Sequence, residues 1–386
     1  MIGQIYPSEK KITADSKTGY EVIRLTGGDS NNKHLYFTEN SFCKGCREII
    51  FYSDRDQKSG KTNIFSMNLD SGEMRQLSDF TGPISHCIKP PGGGQLFCFH
   101  NNQIVMIEEK DLSVRILYEC PKGWKLGSMS LSQSGQRIGF ILNEDADIPR
   151  GPNYKGFTER MYAIKRGKIM ALNIMSGDVC EVYQDTHQLG HFQFSPFDES
   201  LAMFCHEGPW NLVHQRIWLL DFASRNVFPC FRQGPDDSVG HEFWTRDNLV
   251  FFDNRRAGHD GTITQDKTQV FKPPEDLKQT PYIGFADTLG NLVRRVDMPF
   301  YCNHYHANND NSLLVGDGVE DLVLIKITGC RAQLKTLCFH GTSWYDQDSH
   351  CHPTFDWEGR YILWTSDFGG KRNLYMIDSQ QISMFP

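Results

Sequence analysis

The stretch WYDQDSHCHPTF, residues 344–355, concentrates three side chains that can bind a metal ion. Gln347, His350 and His352 lie within six positions of one another. Neutral imidazole is the commonest side-chain metal ligand, and a glutamine carbonyl adds a harder oxygen donor. Because His350 and His352 are two residues apart, their side chains share one face of an extended segment. The spacing therefore predicts a site for a divalent ion.

A repeated pattern of alternating apolar strands and polar turns must position these side chains. One complete copy covers residues 42–78, and residues 355–379 repeat its first three strands. Four-stranded units repeated every 40 to 50 residues or so are typical of β-propeller blades, and longer intervals would carry loop insertions. Seven copies are recognised by their first core residues, Phe42, Ile88, Leu131, Phe194, Trp244, Ala307 and Phe355.

The last copy lacks a convincing fourth strand, whereas the N-terminal SKTGYEVIRLTGG resembles the fourth strands of other copies. We therefore predict an all-β, seven-bladed β-propeller, a single domain over residues 1–386. The strand at about Tyr20 to Thr26 would close the last blade, because an incomplete blade would leave an open sheet edge. A helical or α/β fold would require long runs with a 3.6-residue apolar period, which the sequence does not show.

Histidine recurs at one position of the repeat. The residues three positions before the seven core residues are Glu39, Ser85, Ser128, His191, His241, His304 and His352. A single histidine in a strand is more often a hydrogen-bonded core residue, but four consecutive blades carry a histidine at this position. The pattern predicts that these histidines meet at one mouth of the channel, where His304 joins His350 and His352 in the metal site.

Loops between the second and third strands of a blade open on the same face. They carry His206, His214 and Arg216 in blade four, and Arg255 and Arg256 in blade five. Arginine can hold a carboxylate through two parallel hydrogen bonds, so these loops predict an anionic ligand. The long insertion of blade three, which follows Asn143, is expected to reach over the same face.

Other histidines and acidic residues do not fit this pattern. His306 is interpreted as a neighbour of the metal site, and the acidic GDGVEDLVL, residues 316–324, is interpreted as a solvated turn because it lacks the spacing of a calcium loop. Four histidines are expected in loops or at the surface, namely His100, His187, His259 and His340.

Composition argues against several classes of partner. The formal net charge is −7 and no long basic run occurs, so we expect no nucleic-acid binding. No stretch reaches the roughly 18 apolar residues of a membrane span, and the N-terminus has no apolar signal region. Of the 12 cysteines, Cys43 and Cys46 form a close pair, but no second pair completes a zinc site. Reduced thiols in a cytoplasmic protein are the expected state.

Several longer phrases resemble one enzyme family. CHEGPWNLVHQRIWLLD, HEFW, NSLLVGDG, TSW with QDSHCHPTF, and LWTSD together resemble the oligogalacturonate lyases, intracellular β-propeller enzymes of pectin breakdown. The resemblance extends from SKTGYEVIRLT to the C-terminal blade. CHEGP and the Gln-x-x-His-x-His pattern are its specific elements, whereas the blade pattern is shared with many propellers.

The resemblance implies a divalent ion, usually manganese, held by His304, Gln347, His350 and His352. It also implies that His241 is the general base and that Arg216 helps to neutralise the substrate carboxylate. His191 and His206 are our candidates for substrate contacts. The family usually has proline where this chain has Cys351.

The implied reaction is β-elimination from a 4-linked oligogalacturonate. His241 would remove the C5 proton, the metal and Arg216 would stabilise the enolate charge, and the C4 oxygen would leave. Three alternatives remain open: a lyase for another uronate, such as a glucuronate chain; a metal-dependent hydrolase with Glu242 as carboxylate base; and a binding propeller without activity.

Overall fold

The computed structural model describes residues 2–55, 61–149, 151–256, 258–264 and 280–382. It divides the chain into two compact units. The first comprises Met1–Ile116, Cys302–Thr328 and Gln333–Pro386, and the second comprises Leu117–Tyr301 and Gly329–Ala332. Within the described residues, no helix is long and apolar enough to cross a membrane.

The strands of the N-terminal third are β1 (Ile5–Tyr6), β2 (Lys11–Ala14), β3 (Glu21–Arg24), β4 (Asn32–His34), β5 (Glu48–Ser53), β6 (Asn63–Asn68), β7 (Met74–Gln76), β8 (Ile84–Ile88), β9 (Gln95–His100), β10 (Gln103–Glu108) and β11 (Val114–Glu119). The central strands are β12 (Trp124–Leu131), β13 (Arg137–Glu144), β14 (Gly167–Asn173), β15 (Val179–Asp185), β16 (Leu189–Phe194), β17 (Leu201–His206), β18 (Ile217–Asp221), β19 (Val227–Pro229), β20 (Val239–Trp244), β21 (Val250–Asn254), β22 (Tyr282–Ala286) and β23 (Leu292–Asp297). The C-terminal strands are β24 (Tyr305–Ala307), β25 (Leu313–Asp317), β26 (Asp321–Thr328), β27 (Arg331–Phe339), β28 (Thr354–Phe355), β29 (Tyr361–Ser366) and β30 (Asn373–Asp378).

These strands form seven sheets, which we number one to seven along the chain. Sheets two to six are four-stranded meanders, β8 to β11, β12 to β15, β16 to β19, β20 to β23 and β24 to β27. Sheet one adds β1 to the meander β4 to β7, and sheet seven has the order β2-β3-β30-β29-β28. The seven sheets agree with the seven predicted repeats.

The predicted core residues mark the ends of the first strands. In sheets two to seven each of them, from Ile88 to Phe355, is the last residue of its first strand. Sheet one differs, because the chain turns away after β4 and Phe42 rejoins the sheet through an isolated bridge to Ile49. The turn is closed by a hydrogen bond of 2.7 Å from the Glu39 amide to the Tyr36 carbonyl.

The N-terminal strand completes sheet seven, as predicted. β3 pairs antiparallel with β30 in the register Val22 to Ile377 and Arg24 to Tyr375. β2 then pairs with the outer edge of β3, so sheet seven has one strand more than predicted. β1 likewise adds a fifth strand to sheet one by pairing with β7.

Buried apolar residues fill the spaces between successive sheets within each unit. In the first unit one cluster joins sheets one and seven, and it contains Leu25, Phe51, Phe65, Leu363 and Leu374. In the second unit, corresponding clusters join sheet three to sheet four and sheet four to sheet five. The insertion of sheet three contains the only α-helix among the described residues, α1 (Phe157–Ala163), which has no buried residue.

Leu25 provides a test of how strongly the N-terminal segment stabilises the first unit. Its side chain is fully buried in the cluster between sheets one and seven. We expect Leu25→Ala to lower the free energy of unfolding by about 2–5 kcal/mol, because it removes apolar contacts and leaves a cavity. Ile12→Ala in β2, where the side chain is 59% exposed, should change it by less than about 0.5 kcal/mol. Chemical denaturation measures both, and equal effects would contradict the packing.

Candidate functional site

A shared backbone irregularity positions the predicted histidines. In sheets four and five the first strand is bulged, between Gly190 and Gln193 and between Gly240 and Phe243. The first residues of these bulges are His191 and His241, and both have φ of 50°. This left-handed conformation is uncommon for residues other than glycine, and such strain clusters at functional sites.

The same irregularity corrects the predicted position in sheet two. There the bulge lies between Ser85 and Ile88, and the residue with positive φ is His86, at 48°. The prediction of Ser85 as the equivalent residue is therefore wrong by one position. Because a bulge inserts one residue, a constant offset from the core residue does not locate it in every sheet.

The first unit contains a compact cluster of three histidines. His304 precedes β24, and His350 and His352 precede β28. All three are buried, and each can offer a ring nitrogen within 4.8 Å of the other two. The rings of His304 and His352 are 4.0 Å apart between centroids. The structure thus brings together the three histidines that the sequence predicted as metal ligands.

Asp317, at the end of β25, fixes the orientation of His304. Its Oδ2 lies 2.8 Å from His304 Nδ1, and its other oxygen accepts the backbone N–H of His304. The amide of His352 also donates to Asp317, at 3.3 Å. Since a carboxylate accepts hydrogen bonds, Nδ1 of His304 carries the proton and Nε2 keeps its lone pair for a metal.

Aromatic residues enclose the third histidine. Phe37 stacks on the His352 ring, with centroids 5.6 Å apart and an angle of 13°, and the His34 ring contacts the His352 carbonyl at 2.8 Å. Burial, together with the neighbouring His304 and His350, holds the pKa of His352 well below its usual range. The imidazole is therefore neutral at neutral pH, which is the form that binds a metal. This donor set fits a divalent transition-metal ion.

Gln347 lies at the start of the short 3₁₀ turn Gln347–Ser349, three residues before His350, and it is exposed. The turn is stabilised at its start by Asp346, whose side chain accepts the amide of Ser349 at 2.9 Å. The role of Gln347 as an oxygen ligand stays a prediction.

One interpretation of the neighbouring sequence is wrong. Asp317 belongs to GDGVEDLVL, which we interpreted as a solvated turn, yet it is fully buried beside His304. His340 lies in a loop, one of the two predicted locations, but it is 2% exposed and its Nε2 lies 2.9 Å from the Gly318 carbonyl. His34 was not singled out from the sequence at all. Asp317 and His34 reach the cluster from other strands, β25 and β4, so local spacing could not identify them.

Asp317 gives a test of this arrangement through metal affinity. We expect Asp317→Asn to weaken the binding of a divalent metal ion about 10–100-fold, because His304 loses the carboxylate that orients it. Titration of the metal-free protein by isothermal calorimetry measures this constant. Asp310→Asn, which alters an exposed carboxylate bound to Ser312, is the matched control and should not change it. Equal affinities for the two variants would contradict the role given to Asp317.

In the second unit, His241 forms a dyad with an aspartate. Its Nδ1 lies 3.1 Å from Oδ1 of Asp253 on the paired strand β21, and Arg255 Nε donates to Asp253 Oδ2 at 3.1 Å. Trp210 packs edge-on against the His241 ring, at 4.9 Å between centroids. Gly240 permits this approach, because a Cβ there would lie 1.9 Å from the indole. With Nδ1–H held by the carboxylate, Nε2 keeps the lone pair that a general base needs.

Arg216 lies in a buried network with two carboxylates. Its Nε donates to Glu242 at 3.0 Å, and its Nη1 lies 3.4 Å from Glu207. The His191 ring lies near both acids, 3.4 Å from Glu242 and 3.7 Å from Glu207. Burial raises the pKa of Glu242, but Arg216 and His191 lower it to about 2, so this acid is ionised.

The other two predicted arginines also have acidic partners. Arg255 is bound to Asp253, and Arg256 Nη1 lies 2.8 Å from Asp237. All three arginines that the sequence placed in the loops of sheets four and five therefore lie beside carboxylates. His206, at the end of β17, contacts Asp185 and lies beside His187.

Removal of Arg216 should destabilise the fold. Arg216→Ala leaves the fully buried Glu242 without its counter-charge, so we expect the free energy of unfolding to fall by about 3–5 kcal/mol. Urea denaturation measures the loss, and the double change Arg216→Ala with Glu242→Gln should recover part of it. A loss below about 1 kcal/mol would show that the pair is not desolvated.

Comparisons with known proteins agree with the fold and with the resemblance noted in the sequence. A sequence profile described as oligogalacturonate lyase matches residues 3–269. The chain is 26% identical to an oligogalacturonate lyase of Dickeya dadantii and 24% identical to an oligogalacturonide lyase of Pectobacterium atrosepticum, each over 94% of both chains.

A solved structure, an oligogalacturonate lyase in complex with manganese, has a TM-score of 0.86 to this chain at 25% identity, over 98% of each. The predicted fold class, a seven-bladed β-propeller, is confirmed. The family assignment made from the sequence motifs is confirmed as well, because the matching profile covers more than half of the chain. The chain belongs to the oligogalacturonate lyase family.

Proposed function

We propose that this protein is an oligogalacturonate lyase that cleaves 4-linked galacturonate oligomers by metal-assisted β-elimination. The observation that carries the proposal is the buried cluster of His304, His350 and His352, oriented by Asp317. The family relatives bear the names of such lyases, and a solved structure of an oligogalacturonate lyase is a complex with manganese. We propose manganese as the ion of this cluster, with Gln347 as a fourth ligand.

The chemistry requires an electrophile and a base. A bound divalent ion supplies positive charge that stabilises the enolate charge developing on the substrate carboxylate. We propose that His241 takes the C5 proton at Nε2, with Asp253 holding Nδ1–H and stabilising the imidazolium that forms. Asp253 also forms a buried ion pair with Arg255, which holds the carboxylate in place. The carboxylate therefore keeps the orientation of the His241 ring after the ring is protonated. The C4 oxygen leaves without consumption of water.

Arg216 already contacts two acidic side chains, so it must make the proposed contact with the substrate carboxylate in addition to these. Nε and Nη1 of the guanidinium point to Glu242 and Glu207, whereas arginine has five N–H donors in all. Because Arg216→Ala would also destabilise the fold, Arg216→Lys is the better test of this role. Lysine keeps the charge but cannot form the planar, two-pronged contact, so a rise in KM is expected. His191 and His206 stay proposed substrate contacts.

The electrostatics of Glu242 argue against the hydrolase alternative. That reaction needs a carboxylate that accepts a proton from water near neutral pH, and Glu242 is the carboxylate that we considered for it. With a pKa of about 2, fixed by Arg216 and His191, Glu242 is too weak a base for this step. Elimination, with a histidine as base, is therefore favoured.

Product analysis tests the type of reaction. We expect purified protein with manganese to convert digalacturonate into products whose summed mass equals that of the substrate, one of them a 4,5-unsaturated uronate. Hydrolysis would add the mass of one water molecule and would contradict the proposal. A parallel assay with a glucuronate-containing oligomer distinguishes the alternative uronate lyase, because preferential cleavage of that oligomer would reassign the substrate.

We propose further that the protein acts as a single domain in the cytoplasm and binds neither nucleic acid nor membranes. All 12 cysteines are free thiols in the structure, which suits a reducing compartment. The net charge of −7 gives no general attraction to polyanions, so the oligosaccharide must be bound by local groups. Cell fractionation tests the location directly.

A further inference from the structure

A second group of metal-binding side chains lies in the second unit, outside the residues assigned above to the metal. Asp185, His187 and His206 each offer a ligand atom, and these atoms lie within 4.8 Å of one another. His187 Nδ1 is 2.7 Å from Asp185 Oδ1, and His206 Nε2 is 3.1 Å from Asp185 Oδ2. The two imidazole rings stack in parallel, with centroids 4.1 Å apart and an angle of 10°.

The strand pairing explains why these three residues meet. Asp185 is the last residue of β15, and His187 lies in the short connection that leads to β16. His206 is the last residue of β17 and pairs with Leu189 at the start of β16. A hydrogen bond from the Glu207 amide to the Gln188 carbonyl, 2.8 Å, holds the end of β17 against that connection.

The protonation states suit metal binding. Burial raises the pKa of Asp185, but hydrogen bonds from His206, Tyr183 and His187 outweigh it and hold that pKa well below the usual range. Burial lowers the pKa of His206, which favours the neutral imidazole. The Tyr183 hydroxyl donates to Asp185 Oδ2 at 2.6 Å and orients the carboxylate from outside. An ionised carboxylate and a neutral imidazole are the forms of these two side chains that bind a metal.

We propose that Asp185, His187 and His206 form a second divalent-metal site, whose donor atoms suit a zinc ion. Two imidazole nitrogens and one carboxylate oxygen are three ligands of the type that zinc prefers, and a fourth position remains for water or an anionic group. Each imidazole binds in its neutral form by carrying its proton on the other ring nitrogen, so the metal replaces the two hydrogen bonds to Asp185. His187, with 57% of its side chain exposed, leaves the site open to solvent.

Zinc titration in a protein that lacks the three-histidine cluster tests this site. The variant His350→Ala with His352→Ala is stripped of metal and titrated with Zn²⁺ by isothermal calorimetry. We expect one equivalent of Zn²⁺ to bind. Adding His187→Ala to this variant should weaken the zinc affinity at least about 100-fold, which is more than the loss of a group that only orients a ligand would cause. His187 is largely exposed, so its removal should preserve the fold, and circular dichroism checks this.

His214→Ala in the same background is the matched control, because His214 is an exposed histidine of the same unit outside the cluster. It should leave zinc affinity unchanged. Asp185→Asn, which keeps the shape but removes the charge, should weaken zinc as His187→Ala does. The proposal is overturned if the double variant takes up no zinc, or if His187→Ala leaves its affinity unaltered. These results are independent of whether the protein cleaves oligogalacturonate.

Discussion

Replacement of His350 and His352 by alanine should abolish manganese binding and reduce elimination about a thousandfold or more. The two residues supply two of the three buried imidazoles, and the remaining His304 cannot hold the ion alone. Several kcal/mol of stabilisation of the enolate charge depend on the metal, and each 1.4 kcal/mol or so corresponds to a factor of ten in rate. Elemental analysis and the rate of product formation measure the two effects together.

His306→Ala is the matched control for this variant. His306 belongs to β24, two residues after His304, and its Nδ1 accepts the amide of Phe355 at 3.2 Å rather than joining the cluster. We expect this variant to keep its manganese and most of its turnover. Unchanged manganese content in the His350 and His352 variant would show that the ion is bound elsewhere.

His241→Ala should lower kcat about a hundredfold or more while metal content stays unchanged. The expected loss is that of a positioned general base, which typically contributes factors of about 10²–10⁴. The structure adds a second variant, Asp253→Asn, which keeps the shape of the dyad. An amide can donate a hydrogen bond to Nδ1 and so favour the tautomer whose lone pair faces the wrong way.

The pH dependence distinguishes this role from a purely structural one. In the unmodified protein kcat should fall on the acid side as His241 is protonated, and in His241→Ala that acid limb should disappear from the residual rate. Near-normal turnover of His241→Ala at neutral pH would contradict the assignment. The search for a base would then move to His191 and His206.

The fold was predictable because strand periodicity and turn chemistry are local properties. Six of the seven predicted core residues end their strands, from Ile88 to Phe355, and the closing strand β3 lies where the missing terminal strand required it. The exceptions have physical causes. The turn after β4 displaced Phe42, the bulge of sheet two shifted the position from Ser85 to His86, and no rule of spacing indicated that β1 and β2 would add outer strands.

The site was predictable only where its residues are near in sequence or share a repeat position. His350 and His352 are two residues apart, and His304 and His352 share the repeat position. The acidic partners satisfied neither condition: Asp317 and Asp253 reach their histidines from the neighbouring strand, across 13 and 12 residues. The ion pairs that compensate Arg216, Arg255 and Arg256 were missed because sequence spacing does not show which side chains meet in space.

The most direct test of the account is the ultraviolet absorbance of the product, followed during digestion of digalacturonate by purified protein. Absorbance from the 4,5-unsaturated uronate should rise with manganese present, stop when a chelator is added and resume when manganese is restored in excess. His350→Ala with His352→Ala should give no rise under any of these conditions. Cleavage of the substrate without a rise in absorbance, or a rise that persists unchanged in the chelator, would contradict metal-assisted elimination.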